Sequence, residues 1–371
     1  MENSSEESVQ PTYTKHEFTK GVWLSFNEVN SLLTGDFRTD FASVINNLKS
    51  LEITDLYFHI RSHCDSVVKS DYFPQTELSK TPDFDILEYV INACHFDNIR
   101  VHAWINPYRV NAADSDVGSL PADSPVVKWL NDQDSENDKN VCITNGIYLN
   151  PAENEVRQLI VNGVKEIINN YNVDGIHFDD YFYPTTDPNF DSVSYEAYKN
   201  TTEHPLKLDD WRRANVDTLI ADCNLAIKSK DRNIIFSISP SADIEKNYNA
   251  RYADISSWCK DGLIDEVIPQ LYFGFNHTDP QFCFNNLIKE WTKLCNNSKA
   301  QLKIGLAPYK IGTESIGDGT EWKTNSNILA RQFEICKNNN LINGICFFSY
   351  SSLFSNEKLN TEERESLIGV S

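Results

Sequence analysis

Short apolar runs alternate with longer amphipathic stretches from about residue 20 to the end of the chain. The short runs are rich in β-branched and aromatic residues, which is typical of strands buried on both faces of a parallel sheet. The amphipathic stretches repeat their apolar positions at helical spacing. Strands are predicted at 21–26, 55–61, 100–107, 173–181, 234–240, 266–273, 302–308 and 344–350. Helices are predicted most clearly at 38–51, 83–97, 153–170, 209–229, 279–294 and 325–339.

Eight strands that alternate with helical stretches predict an α/β fold, specifically a (β/α)8 TIM barrel. An open doubly wound sheet is the alternative, but no glycine-rich phosphate loop follows any early strand. We expect residues 1–19 to form a flexible tail and residues 20–371 to form one catalytic domain. The polar stretches 110–148 and 182–208 follow the third and fourth strands, so we expect long loops there on the catalytic face.

The fourth predicted strand carries two adjacent aspartates. Because side chains alternate along a strand, His177 and Asp179 share one face and their apolar neighbours share the other. The apolar face should pack against the helices, which turns His177 and Asp179 into the barrel. Asp180 ends the strand and would reach the cleft or cap the next turn. Two adjacent carboxylates are costly to bury without a chemical role or an ionic partner such as Arg61, and both interpretations remain open.

Polar and aromatic residues crowd the carboxyl ends of the predicted strands, where a barrel builds its active site. Aromatic rings suit the apolar faces of sugars, while arginine, asparagine and glutamine suit their hydroxyl groups. The predicted substrate-binding residues are Arg61, Asp65, Trp104, Asn106, Tyr108, Arg109, His177, Tyr181, Tyr183, Gln270 and Tyr272. Arg61 and Arg109 indicate an anionic sugar, or they hold a neighbouring carboxylate in place.

The charge of the chain narrows the choice of partners. With 33 basic and 54 acidic residues the formal net charge is -21, which argues against a nucleic-acid partner because a polyanion would be repelled. No apolar run is long enough to predict a transmembrane helix. The nine cysteines include no CxxC pair and are expected to serve mostly as small core residues.

A metal site is an alternative use of the same residues. His177, Asp179 and Asp180 could combine with a histidine from another strand end. The candidate histidines are His59, His63 and His102. Neighbouring carboxylates on a strand point in opposite directions, and no second histidine lies at matching spacing, so we predict neither a metal nor a cofactor.

The segment DGIHFDDYFYP at 174–184 resembles the signature of the glycosyl-hydrolase-like family ten, a bacterial family. The other matching segments follow in family order and extend from about residue 20 to about residue 350. They are GVWLS (21–25), VHAWINPYR (101–109), YLNPAENEVR (148–157), DDWRRANV (209–216) and YADISSWCKDGLIDEVIPQLYF (252–273).

The resemblance implies a (β/α)8 barrel similar to glycoside hydrolases. One branch of that family acts on peptidoglycan glycan strands whose peptides have been removed. Its members are commonly secreted or lipid-anchored lipoproteins. We therefore expect an extracytoplasmic cell-wall enzyme whose signal is not present in this chain, since the amino terminus is polar and acidic and Met1 is the only methionine. The residues that match the family's polar strand ends are Asn106, Tyr108, Arg109, Asp179, Asp180, Gln270 and Tyr272.

Three departures from the family pattern are expected on the substrate face, where they would alter the preferred glycan. Cys64 stands where the family usually has a glycine before Asp65. Asp243 adds a carboxylate after the fifth strand, and Phe273 replaces the usual tryptophan.

We predict a glycosidase that cleaves an amino-sugar-containing polysaccharide or oligosaccharide such as peptidoglycan strands. Asp180 would be the acid/base, and Asp179 the nucleophile or the group that stabilises the oxocarbenium ion. A 2-acetamido carbonyl of the substrate could replace a protein nucleophile. Other carboxylates that could serve as the second group are Glu28, Asp65, Asp243 and Glu245.

Two other functions fit the same sequence. One is a carbohydrate-binding barrel without catalysis, and the other is a metal-dependent deacetylase or amidase. The sequence predicts no oligomeric state.

Overall fold

The computed structural model describes residues 18–370 and confirms the predicted barrel. Eight parallel strands close in the order β1-β2-β3-β7-β8-β9-β10-β11, and β11 pairs with β1. They are β1 (Thr19–Leu24), β2 (Asp55–Arg61), β3 (Arg100–Ile105), β7 (Gly175–Phe178), β8 (Ile235–Ile238), β9 (Glu266–Val267), β10 (Gln301–Leu306) and β11 (Ile342–Phe348). Residues 1–17 of the predicted tail lie outside the described residues.

Helices connect the strands and cover the barrel. They are α1 (Phe26–Thr34), α2 (Phe37–Ser50), α3 (Ile86–Phe96), α4 (Pro125–Asn131), α5 (Asn154–Asn170), α6 (Ser192–Thr201), α7 (Leu208–Lys230), α8 (Ile244–Ala250), α9 (Ile255–Asp261), α10 (Phe284–Cys295), α11 (Glu321–Thr324), α12 (Ile328–Lys337), α13 (Tyr350–Leu353) and α14 (Lys358–Val370). No helix in the described part of the chain is both long and apolar enough to cross a membrane.

The two stretches predicted as long loops contain secondary structure of their own. After β3, an antiparallel sheet forms from β4 (Arg109–Asn111), β5 (Val141–Ile143) and β6 (Ile147–Leu149), with α4 between β4 and β5. After β7, α6 interrupts the second stretch. These elements are too short and too polar for their periodicity to be recognised in the sequence.

Side-chain alternation along β7 follows the prediction. Ile176 and Phe178 are fully buried in the layer between the strands and the helices. His177 points into the barrel, where its ring lies among Trp23, Tyr57 and the other inward side chains. The outward apolar side chains of the strand therefore pack against the helices, whereas polar and aromatic side chains fill the barrel interior.

The amino-terminal end of the barrel interior is filled by charged groups. Lys303 Nζ lies 2.8 Å from Glu266 Oε1 and 3.8 Å from Asp55 Oδ2. Asp55 also accepts hydrogen bonds from His102 Nε2 at 2.7 Å and Arg100 Nη2 at 2.9 Å. Burial would raise the pKa of Asp55, but the charges of Lys303 and Arg100 hold it well below its usual value. These opposite charges neutralise one another in a space that excludes water.

Glycines in the barrel strands make room for the large inward rings. A Cβ atom at Gly175 would lie 2.3 Å from His102 Nδ1, and one at Gly21 would lie 2.9 Å from Tyr57 Cε2. The ring of Tyr57 stacks on His102 with centroids 4.5 Å apart. These two strand glycines are thus explained by close packing inside the barrel.

Replacing Lys303 with methionine should destabilise the protein strongly, because the buried charge of Glu266 would lose the cation 2.8 Å away and Asp55 would keep only Arg100 and His102 as partners. We expect the free energy of unfolding at pH 7 to fall by about 3–5 kcal/mol in urea titrations. The lowered pKa of Asp55 contributes stability that is present above the pKa of the unfolded chain and is lost as pH falls. The deficit of the variant should therefore shrink toward acid pH.

The control is Lys323→Met, which removes an ion pair with Glu314 whose two side chains are both about half exposed. Its effect should stay within about 0.5 kcal/mol. A Lys303→Met variant as stable as this control would contradict the assignment of Lys303 as the partner of the buried carboxylates.

Candidate active site

The carboxyl ends of the barrel strands open into a cleft of about 330 Å³. Seven of the predicted site residues line it: Trp104, Arg109, Asp179, Asp180, Tyr181, Gln270 and Tyr272. The other lining residues are Trp23, Ser25, Phe26, Asn27, His59, Ser239, Tyr309 and Phe348.

Asp179 lies on the floor of the cleft and is 3% exposed. Its Oδ2 atom accepts a hydrogen bond from Trp104 Nε1 at 3.2 Å, and its Oδ1 atom accepts one from the Tyr181 amide at 3.2 Å. Burial and the negative charge of Asp180 raise the pKa of Asp179 to about 7, although nearby Arg109 opposes the shift. This carboxyl group is therefore fixed in position and exchanges a proton near neutral pH.

Asp180 is less buried than Asp179 and lies beside it. Gln270 Nε2 donates a hydrogen bond to Asp180 Oδ1 at 3.3 Å and another to the Ser239 carbonyl at 3.0 Å. Burial raises the pKa of Asp180, and Arg251 limits the rise. Asp180 therefore combines access to the cleft with an increased affinity for a proton.

Among the residues that the structure describes, Asp179 and Asp180 are the only carboxylates lining the cleft. The four other carboxylates that were predicted as possible second catalytic groups do not line the cleft, and most of them accept hydrogen bonds from backbone amides. Glu28 accepts hydrogen bonds from the amides of Ser25 and Ser351, and Asp243 caps the first turn of α8. Asp65 closes a turn, and Glu245 lies in the first turn of α8.

Aromatic side chains form one wall of the cleft. The ring of Tyr272 stacks on Phe348 with centroids 5.7 Å apart and meets Tyr309 edge to face. Tyr181 and Tyr309 are each 43% exposed at the rim. The guanidinium group of Arg109 lies 4.5 Å from the centre of the Tyr181 ring, while its Nε atom donates to the Ser62 carbonyl. Flat apolar surfaces beside a cation and a carboxylate pair suit a polyhydroxylated ligand.

His177 lies below the cleft and does not line it. Its Nε2 atom accepts a hydrogen bond from Trp23 Nε1 at 3.0 Å, so the proton of the neutral ring is on Nδ1 and is donated to Ser237 Oγ at 2.8 Å. Burial lowers the pKa of His177 well below its usual value. Both ring nitrogens are thus engaged in the barrel interior, and neither is available to a substrate or a metal.

The metal-dependent alternative lacks a set of ligands in the described part of the chain. No three histidine, cysteine, aspartate or glutamate side chains there are grouped so that they could hold a metal ion.

Arg61 lies on the outer face of the barrel rather than in the cleft. The pairing of β2 with β3 shifts between His59 and Arg61, and this bulge breaks the alternation that would have turned Arg61 inward. Its guanidinium group lies 3.7 Å from the centre of the Phe73 ring, and a Cβ atom at Gly163 of α5 would lie 2.5 Å from Nη1. The predicted contact of Arg61 with substrate is therefore not supported by its position.

Four more of the predicted substrate-binding residues hold the loops and the core around the cleft in place. Asp65 Oδ1 accepts hydrogen bonds from the amides of residues 62 and 63, which closes the turn after β2. Asn106 Nδ2 donates to the Ser62 carbonyl at 3.2 Å, so the same loop is tied to the end of β3. Tyr108 and Tyr183 are fully buried in the apolar core. None of the four lines the cleft.

The three departures from the family pattern also lie outside the cleft lining. Cys64 has a φ of 57°, a left-handed conformation that a glycine would adopt more easily. Asp243 accepts a hydrogen bond from the Lys246 amide as the N-cap of α8. Phe273 stacks on Phe282 with centroids 5.0 Å apart. These residues shape turns and packing, so the expectation that they alter the preferred glycan is not supported.

Eight lining residues are missing from the predicted catalytic and substrate-binding residues, and half of them fall in the predicted first and last strands. Trp23 and Ser25 share the inward face of the predicted first strand, and Phe348 lies at the end of the last one. Applying the same rule about strand ends to these two strands would have identified them. Phe26 ends the predicted first strand, although in the structure it begins α1, and Asn27 carried no comparable signal.

Replacing Asp179 with asparagine should make the stability of the protein less dependent on pH. Because the pKa of Asp179 is raised to about 7, its stabilising contribution is present below the pKa of the unfolded chain and is lost as pH rises through 7. Asparagine does not titrate. The change in unfolding free energy caused by the substitution should therefore be more favourable at pH 8 than at pH 5, by about 2 kcal/mol.

Denaturant titrations at the two pH values measure this difference. Asp261→Asn is the control, since Asp261 is exposed at the end of α9 at the opposite end of the barrel. An equal effect of Asp179→Asn at pH 5 and pH 8 would show that Asp179 has an ordinary pKa.

Comparison with known proteins identifies the family of this chain and proteins of the same fold. A family model described as Glycosyl hydrolase-like 10 matches residues 19–324. Glycosyl hydrolase YngK of Bacillus subtilis is 29% identical over 347 residues, which are 86% of this chain and 64% of YngK. Glycosyl hydrolase DigH of Escherichia coli is 28% identical over 353 residues, which are 87% of this chain and 76% of DigH. The chain thus spans less than two thirds of the length of YngK.

Solved structures show the same fold at low sequence identity. The PgaB (BpsB) glycoside hydrolase domain from Bordetella bronchiseptica has a TM-score of 0.62 at 13% identity, covering 95% of this chain and 99% of that one. The catalytic domain of a β-amylase from Paenibacillus polymyxa has a TM-score of 0.60 at 11% identity, covering 95% and 98%.

The family model covers most of the chain and agrees with the predicted resemblance and with the predicted class of enzyme, a glycosidase. The chain therefore belongs to the glycosyl hydrolase-like 10 family.

Proposed function

We propose that this protein cleaves glycosidic bonds in an amino-sugar-containing glycan such as peptide-free peptidoglycan strands, with Asp179 and Asp180 as the catalytic pair. The observation that carries the proposal is the isolated pair of carboxylates at the floor of the cleft, whose pKa values are both raised. Glycoside hydrolysis requires a carboxyl group that keeps a proton near neutral pH beside one that carries negative charge.

In this proposal the two aspartates have different tasks. Asp180 has access to the cleft and accepts a hydrogen bond from Gln270, so it protonates the departing glycosidic oxygen. Asp179 is fixed by the N–H groups of Trp104 and Tyr181, so its charge stabilises the positive charge that develops on the sugar. Asp179 is the group whose pKa is raised to about 7, so these roles require the proton that the pair shares to pass from Asp179 to Asp180 when substrate is bound. Once Asp180 holds the proton, the repulsion between the two carboxylates disappears and the buried charge of Asp179 becomes less costly.

The choice of glycan rests on the family and on the cleft walls. Tyr181, Tyr272 and Tyr309 offer ring faces to sugars, and Arg109 offers a cation that could meet an anionic substituent. An enzyme acting on cell-wall strands would work outside the cytoplasm, so we include a secreted or lipid-anchored location in the proposal.

The test is a mass-spectrometric product screen on peptide-free peptidoglycan strands, N-acetylglucosamine oligomers and plant oligosaccharides. Each cleaved bond should add one water to the summed mass of the products. Wild type and the Asp261→Asn control should shorten the same glycan. Asp179→Asn and Asp180→Asn should lower the rate by roughly 10²–10⁴-fold. Binding without cleavage by wild type would instead identify a carbohydrate-binding barrel.

The two roles are separated by the leaving group of the substrate. A dinitrophenyl glycoside of the identified sugar departs without protonation, so Asp180→Asn should keep most of its activity on it. Asp179→Asn should lose activity on both the dinitrophenyl glycoside and the natural glycan. The reverse pattern would exchange the roles of the two aspartates.

A further inference from the structure

His59 is part of the cleft wall but has no task in the proposed reaction. It lies on the inward face of β2, is 1% exposed and lines the cleft. Its ring stacks on Trp104 with centroids 3.7 Å apart and an angle of 9° between the planes. Trp104 in turn donates its N–H to Asp179, so His59 stands one side chain away from the catalytic pair.

The tautomer of His59 follows from its hydrogen bond to α1. The amide of Phe26, the first residue of the helix, donates to His59 Nδ1 at 3.3 Å. A backbone amide can only donate, so Nδ1 is the acceptor and the proton of the neutral ring is on Nε2. Burial lowers the pKa of His59 well below its usual value, and the positive charge of Arg109 lowers it further. The imidazole is therefore a neutral donor.

The Nε2–H group of His59 makes no hydrogen bond of normal geometry with any residue that the structure describes. The backbone of Arg61 is the competing acceptor: it raises the pKa of the ring, but its geometry falls short of a normal hydrogen bond with Nε2. An unpaired buried donor is destabilising, and native proteins pair nearly all such groups. Because the ring of His59 lines the cleft, a ligand that binds there can satisfy this unpaired donor.

We propose that His59 Nε2–H donates a hydrogen bond to an oxygen of the sugar that binds against Trp104 and Asp179. The inference rests on the proposed function and deepens it, because it adds a residue that selects the sugar. The acceptor is a neutral oxygen on the sugar, supplied either by a 2-acetamido carbonyl or by a ring hydroxyl. A site with a dedicated donor disfavours analogues that leave the donor unpaired.

The experiment measures binding in the Asp180→Asn background, so that it does not depend on turnover. The probes are the hexamers of N-acetylglucosamine and of glucosamine, with affinities measured by calorimetry. His59→Phe removes the donor and keeps a ring on Trp104, and His59→Gln restores an N–H group near the position of Nε2. His204→Phe is the control, since His204 is exposed between α6 and α7.

His59→Phe should weaken binding of the N-acetylated hexamer about tenfold, and His59→Gln should recover most of the loss. If His59→Phe leaves the affinity for the glucosamine hexamer unchanged, the acceptor is the acetamido carbonyl. If the affinity for both hexamers falls equally, the acceptor is a hydroxyl group of the sugar. On wild-type background with peptide-free strands, the loss should appear mainly as a higher KM. His204→Phe should change neither quantity.

A less than twofold change in the affinity of His59→Phe for both hexamers, with an unchanged unfolding midpoint, would overturn the role of His59. Equal losses in His59→Phe and His59→Gln would overturn it as well, because packing rather than the N–H group would then be responsible. Binding that depends on His59 without cleavage of any glycan by wild type would support the donor and overturn the proposed hydrolase function. Absence of both binding and cleavage would overturn both proposals for these sugars.

Discussion

The interior of a closed barrel admits only every second side chain of each strand, and here those side chains are largely polar. Each must therefore find its partner inside the barrel. Lys303 neutralises Asp55 and Glu266 at the amino-terminal end. One layer higher, Trp23 donates to His177, which donates to Ser237. The ring of His177 contacts Trp104, and Trp104 donates a hydrogen bond to Asp179 at the cleft.

The charges of Asp179 and Asp180, the proposed catalytic pair, are neutralised less completely than those of the buried groups below them. Asp179 has two hydrogen-bond donors, and the charge of Arg109 only partly offsets the effects of burial and of the like charge on Asp180. In the amino-terminal layer, cations hold the pKa of Asp55 low, whereas at the cleft burial raises the pKa of Asp179. Carboxylates at the amino-terminal end of the barrel are thus neutralised, whereas those at the cleft are not fully neutralised, and poorly neutralised carboxylates in a cleft are typical of functional sites.

Much of this arrangement could be predicted from the sequence, because alternation is a local rule. It correctly placed His177 inside the barrel and Ile176 and Phe178 outside, and the rule about strand ends found Asp179 and Asp180. The rule failed at Arg61, where a bulge in β2 shifts the face of one residue without any mark in the hydrophobic pattern. Sequence alternation could not identify His59 as a hydrogen-bond donor either, because its tautomer depends on the hydrogen bond that the Phe26 amide of α1 donates to it.

The bulge in β2 has a consequence for helix α5. It places the guanidinium group of Arg61 against α5 at Gly163, where any larger side chain would collide with it. A Cβ atom at position 163 would lie 2.5 Å from Arg61 Nη1 and 2.6 Å from Phe73 Cε2. Any residue larger than glycine would therefore have to displace both side chains, so α5 is constrained at position 163 by Phe73 as well as by the arginine.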